Sequence, residues 1–140
     1  MPGAVRLEAE QGGVIRSIAA VAAGGALGSV VRYLMGVWFA RAAGTAFPWG
    51  TLAVNLSGCI AIGIVAELAQ RRLGLDPTLR LFLVTGLLGG YTTFSAFSYE
   101  ALTLGESGSA SCAIVYVLLS VAGGIAAAYA GALAVRALGA

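Results

Sequence analysis

The sequence predicts an all-α integral membrane protein with four transmembrane helices, the third broken near its middle. Composition is the first observation behind this. Apolar residues make up 59% of the 140-residue chain and charged residues only 10%, against roughly 45–50% and about 25% in soluble domains. Lysine and histidine are absent, so the material for a solvated globular surface is missing. The second observation is four apolar windows that match a hydrocarbon core of about 30 Å, which takes roughly 20 helical residues to cross. The third is the stretch GGYTTFSAFSYE at 89–100, whose glycines, hydroxyls and carboxylate suit an unbroken span poorly.

The chain opens with MPGAVRLEAEQGGVIRS. Glu8 and Glu10 interrupt its basic region and no small-residue cleavage site follows. Residues 1–15 are therefore expected to form a polar cytosolic tail rather than a signal peptide, with 16–140 one membrane domain. The first span, 17–40, is rich in alanine and glycine and carries Arg32. The second, 49–68, follows Phe47-Pro48-Trp49, whose aromatics suit a membrane interface. The third, 79–104, holds the polar stretch, and the fourth, 110–135, has no charge.

Loops at 41–48, 69–78 and 105–109 leave no room for a soluble domain, a nucleotide site or a lid. Glycines such as Gly24, Gly28, Gly63 and Gly131 pepper the spans, and in lipid small residues let helix backbones approach closely. Arg6, Arg16, Arg71, Arg72, Arg80 and Arg136 fall on one side of a four-span chain and Arg41 on the other. That bias puts both termini in the cytoplasm.

Several function classes drop out. A net charge of +2 with no basic run excludes nucleic acid as a partner. Cys59 and Cys112 have no CxxC or histidine neighbourhood and read as small buried hydrophobes. With no histidine and no nucleophile–base pair in the spans, the chain is not expected to be an enzyme.

Polar groups inside spans carry the remaining information, because lipid offers them no partner. Arg32 costs roughly 2.5–3.5 kcal/mol at a helix centre on insertion scales. It reads as a structural anchor that snorkels or pairs with a backbone carbonyl or Glu100, or as a charge drawing anions to a vestibule. Glu67, near the end of the second span, reads as a solvated boundary residue. Thr51, Asn55 and Gly58 share one helix face through steps of four and three, and Tyr116 and Ser120 share another. For each set an interhelical hydrogen bond, worth about 0.6 kcal/mol on average, is the plain alternative to a functional role.

In the third span, Gly89-Gly90 is expected to break the helix and free backbone carbonyls. Unwound carbonyls coordinate Na⁺ in other membrane proteins with broken helices. Beyond the break, Thr92, Thr93, Ser95 and Ser98 supply hydroxyls, and Phe94 and Phe97 project together. Phenyl rings are positive at their edges, so two edge-on rings beside a narrow path favour a small anion without a fixed charge.

On GGALGSVVRY at 24–33, GTLAVNLSG at 50–58 and TGLLGGYTTFSAFSYE at 85–100, the sequence resembles the Fluc (CrcB) family of fluoride channels. The likeness runs from about Gly24 to Arg136, and the third segment is its most specific part. It implies a bacterial inner-membrane homodimer of antiparallel, dual-topology subunits that passively exports fluoride along pathways at the subunit interface. It also implies a central structural Na⁺ held by the carbonyls of Gly89 and Thr92. Phe94, Phe97 and Asn55 then flank the fluoride pathway, with Thr93, Ser95, Thr51, Tyr116 and Ser120 as its polar track, and Arg32 and Glu100 as vestibule or structural charges. Ala96 stands where the family commonly has threonine, Leu87 where it often has an aromatic, and Tyr91 follows the glycines as a further departure.

Six arginines against one is more bias than dual topology leads one to expect, so an oppositely biased homologue is the alternative partner. Two rival functions stand beside the channel: a small four-helix multidrug/proton antiporter, which needs an embedded carboxylate that the first span lacks, and a non-conducting assembly subunit.

Overall fold

The computed structural model describes residues 2–70 and 76–139, with side chains described from residue 12. Among these residues there are only helices, and four stretches are long and apolar enough to cross a membrane: Gly12–Ala43, Trp49–Gln70, Pro77–Glu106 and Ala110–Ala137. The first lies within α1 (Pro2–Ala43), whose helical backbone runs upstream into the predicted tail. Gly44, at φ 77°, ends it by turning left-handed. α2 (Trp49–Gln70) starts directly after Pro48, where the lost N–H is harmless.

The third span is composite. Asp76 caps the short α3 (Pro77–Arg80) by accepting hydrogen bonds from the Thr78 and Leu79 backbone N–H groups. The Leu79 N–H foremost, helped by Thr78 and the Arg16 charge, holds the Asp76 carboxyl below its usual value. A π-helical stretch, Leu81–Leu88, leads into α4 (Gly89–Tyr91). Thr92 and Thr93 are extended, at φ −81°, ψ 159° and φ −151°, ψ 124°. α5 (Phe94–Glu106) follows, and after a left-handed Gly108 comes α6 (Ala110–Ala137). The glycines expected to open the helix are thus helical themselves, and the residues that leave helical geometry lie just beyond them.

The packing pairs α1 with the π-helical stretch and α4, and α2 with α6, while α5 rests on α6. Glycines set both main contacts. A methyl group added at Gly28 would meet the Leu87 carbonyl, and one at Gly131 the Ile60 carbonyl. Such contacts substitute for the hydrophobic drive that lipid removes. The outer faces are correspondingly apolar, with Ile114, Leu118, Tyr129 and Trp38 all exposed. Cys112 is on that outer surface and Cys59 half-buried, so neither fits the expectation of a fully buried thiol. At one end a small aromatic core closes the bundle: Tyr116, fully buried, meets Phe97 at 5.3 Å and Phe47 at 5.4 Å between ring centroids, with Leu52 alongside.

Glu67 corrects the sequence reading. It is buried, not solvated, and Arg136 reaches it from α6 with Nε at 2.9 Å and an Nη at 2.8 Å. The α2–α6 contact brings the two together, and a carboxylate enclosed there needs such a partner. Arg71 and Arg72 lie outside the described residues.

Candidate functional site

α2 and the extended pair Thr92–Thr93 meet where an ordinary helix would have left no polar backbone exposed. The Thr93 N–H has no helical partner, and Asn55 supplies one while also donating to the Thr93 carbonyl, which as the N-cap of α5 already accepts the first bond of that helix. The Asn55 amide donates to the Thr93 carbonyl at 3.0 Å, and its oxygen accepts from the Thr93 N–H at 2.9 Å. This is the bonding of a neighbouring strand, made by one side chain. In an α-helix the Thr93 N–H would close on the Gly89 carbonyl; its diversion to Asn55 leaves that carbonyl without its helical donor. Thr93 also caps α5, its hydroxyl accepting from the Ala96 N–H at 3.2 Å, with the Ser95 hydroxyl 3.4 Å away. Helix α5 therefore begins beyond Thr92, whose carbonyl stands in extended backbone.

A groove of ≈ 540 Å³ runs along this junction and is lined, among others, by Asn55, Thr92, Thr93, Phe94, Phe97 and Ser120. Gly89 lines it too. Phe94 is 77% exposed and Phe97 buried, with ring centroids 5.5 Å apart and planes tilted by 51°. Among the described residues the buried Ser120 hydroxyl oxygen has no hydrogen-bond partner, which is uncommon for an enclosed polar atom. The second N–H of the Asn55 amide is also unused among the described residues.

Thr51 and Tyr116 lie elsewhere. Both donate to Glu100, from Thr51 to one carboxylate oxygen at 2.7 Å and from Tyr116 to the other at 2.6 Å. Glu100 thus ties α2, α5 and α6 together, and it lines a cavity of ≈ 320 Å³ that opens past Phe47, Pro48 and Trp49. This contact leaves both hydroxyl protons committed to a carboxylate. Nothing in the sequence spacing signals it, since the three residues come from three helices.

Arg32 makes no hydrogen bond or ion pair among the described residues, so of the alternatives offered by the sequence neither the backbone-carbonyl nor the Glu100 pairing forms. Arg32 instead lines a third cavity, of ≈ 510 Å³, together with Ser29, Thr51, Thr93 and Ala96. Among the described residues no group of three or more histidine, cysteine or carboxylate side chains could hold a metal. The oxygens offered near the extended pair are neutral carbonyls and hydroxyls, a donor set that suits a hard monovalent cation.

Comparison with known proteins gives consistent matches. The family described as "CrcB-like protein, Camphor Resistance (CrcB)" matches residues 19–132. A curated relative from Agrobacterium fabrum, named fluoride-specific ion channel FluC, is 56% identical over 115 residues, 82% of this chain and 92% of the relative. Proteins of the same name from Rhizobium meliloti and Roseiflexus sp. are 51% identical over 118 residues and 50% over 122. Those alignments cover 84% and 87% of this chain and 94% and 98% of the relatives.

Proposed function

The chain belongs to the CrcB family, a family of ion channels rather than enzymes, and on that premise we propose that it is a fluoride-selective channel. In this reading it is a multi-pass protein of a bacterial inner membrane that passively exports fluoride and so limits its toxicity. The subunit works as half of an antiparallel dimer, with the break in its third span at the dimer centre.

The observation that carries this reading is the groove at Asn55 and Thr93. It gathers seven of the site residues named from the sequence, all neutral, along a path with no carboxylate in its lining. Stripping water from a small anion is costly: the idealised transfer of even a carboxylate-sized ion into a low dielectric is of order 20 kcal/mol. The unpartnered Ser120 hydroxyl, the remaining Asn55 N–H and the ring edges of Phe94 and Phe97 are the groups available along the groove to replace that water, and Ser95, outside its lining, reaches it through the Thr93 hydroxyl. Several moderate neutral donors let an anion enter and also leave. Phe94, exposed in the single subunit, then meets a second subunit across the pathway. Thr51 and Tyr116 act at one remove, by holding Glu100 away from the anion.

The Gly89 and Thr92 carbonyls would hold a structural Na⁺, whose charge draws the two subunits together. One chain offers only half of such a site, so the cation belongs to the assembled dimer.

Efflux from liposomes carrying the purified protein, followed with a fluoride electrode, tests the proposal. Fluoride should leave rapidly with chloride retained and without a proton gradient. Phe94→Ile should slow efflux at least tenfold while the dimer still assembles. Proton-coupled movement of an organic cation, or no flux, would overturn the channel reading.

A further inference from the structure

Tyr91 is the last helical residue before the extended pair, between the Gly89 and Thr92 carbonyls assigned above to a cation. Its hydroxyl lies 2.8 Å from Ser57 Oγ on α2. The Ser57 oxygen also lies 2.7 Å from the Ala53 carbonyl, four residues back on its own helix. A serine has one proton, and when that proton serves the Ala53 carbonyl, the Tyr91 O–H must be the donor to Ser57. Two residues before Ser57, Asn55 holds both backbone groups of Thr93. One residue after it, Gly58 leaves room for the Thr92 methyl, which a Cβ there would strike. Three positions within one turn of α2, 55, 57 and 58, therefore grip residues 93, 91 and 92.

We propose that Tyr91 is a positioning residue for the cation site: through Ser57 it fixes the turn that carries the Gly89 and Thr92 carbonyls. Asn55 holds the far side of that turn and Tyr91 the near side, so the two carbonyls keep a common aim only when both grips are present. The Tyr91 ring packs beside Gly58, and that contact survives in Tyr91→Phe. Only the hydroxyl tether is lost, and Tyr91 itself touches no ion. The inference rests on the cation reading of the preceding subsection.

The test uses the purified, assembled protein and Na⁺ against N-methylglucamine at constant ionic strength, reading the thermal unfolding midpoint and amide exchange at residues 89–93. Na⁺ should raise the midpoint and protect those amides. Losing one hydrogen bond should raise the Na⁺ concentration for half the shift by roughly three- to tenfold in Tyr91→Phe. The Na⁺-free midpoint should change little. Ser57→Ala should match Tyr91→Phe, Ser57→Thr should retain the original response, and Ser57→Ala/Tyr91→Phe should add nothing further. An unchanged Na⁺ response in Tyr91→Phe, or equal destabilisation with and without Na⁺, overturns the positioning role. If Na⁺ stabilises the unsubstituted protein no better than N-methylglucamine, the cation reading itself falls, and this inference with it.

Discussion

Asn55 shows why a single residue type can be required. Only an amide presents a donor and an acceptor side by side, and Thr93 offers the complementary pair. Asn55→Ala leaves the Thr93 N–H unpaired at membrane depth, a loss of about 1–3 kcal/mol, and takes one of two donors from the Thr93 carbonyl. That exceeds the ~0.6 kcal/mol average for an interhelical side-chain bond, because the unfolded-in-membrane state can rescue side chains more readily than extended backbone. Asn55→Asp keeps the shape but turns a donor into a second acceptor facing the Thr93 carbonyl. Both variants should lower the unfolding midpoint in detergent and slow fluoride efflux, with Asn55→Asp worse in efflux because a carboxylate also repels the anion. Normal efflux from both would remove Asn55 from the pathway.

Glu67 and Arg136 make a second residue-scale case. Removing Arg136 takes from the buried Glu67 the ion pair that α6 supplies, whereas replacing both with apolar groups of similar volume is often tolerated. Arg136 is 55% exposed, so its loss should cost less than a fully enclosed pair would, on the order of 1–3 kcal/mol. Glu67→Leu/Arg136→Met should lie closer to the original protein than Arg136→Ala in chemical denaturation. The opposite order would mean that the pair is not what stabilises the α2–α6 contact.

At the scale of elements, α1 and the third span approach as closely as their backbones allow. Gly28 faces the Leu87 carbonyl and the Tyr91 N–H, so a larger residue there must push apart the turn just ahead of Thr92. Gly28→Ala should destabilise by roughly 1–3 kcal/mol as overpacking does, and should reduce efflux with it. Gly105, inside α5 with nothing within 4 Å of an added Cβ, is the control: Gly105→Ala should gain up to about 1 kcal/mol of helix propensity. The π-helical stretch ahead of α4 belongs to the same contact, since Phe82, Gly86 and Leu87 are the residues that Gly24 meets. Sequence pattern had signalled small residues at these places but not which of them met, because hydropathy records what a helix can pack against and not its register.

For the whole molecule, orientation decides how two subunits can meet. Arg16, Arg80 and Arg136 gather at one end with Arg41 opposite, yet Arg136 is paired with Glu67 and the Arg16 charge acts on Asp76. Arg136, its charge matched by Glu67, should pull less on the inserting chain than a bare count implies. A protease-cleavable tag on one terminus, tested in sealed inverted and right-side-out vesicles, should be cut in both preparations. Cleavage in one preparation alone would mean a single orientation, and a partner subunit of opposite bias.

Composition and hydropathy were enough for the class of the molecule: four apolar windows and ten per cent charge admit little other than a membrane bundle. Its motifs also named the polar residues, because a hydroxyl or amide inside a span stands out against lipid whatever surrounds it. How those groups are used came from helix packing. The departure from helix fell on Thr92 and Thr93 rather than on Gly89 and Gly90, since the site of a break depends on who satisfies the freed backbone, and Asn55 faces Thr93. Glycine at 90 served instead to admit the α1 backbone. Glu100 drew its partners from Thr51 and Tyr116, and Glu67 found Arg136 sixty-nine residues away. Hydrogen bonds and ion pairs are short-ranged and directional, so residues far apart in the chain acquire these roles only when helix packing has brought them together.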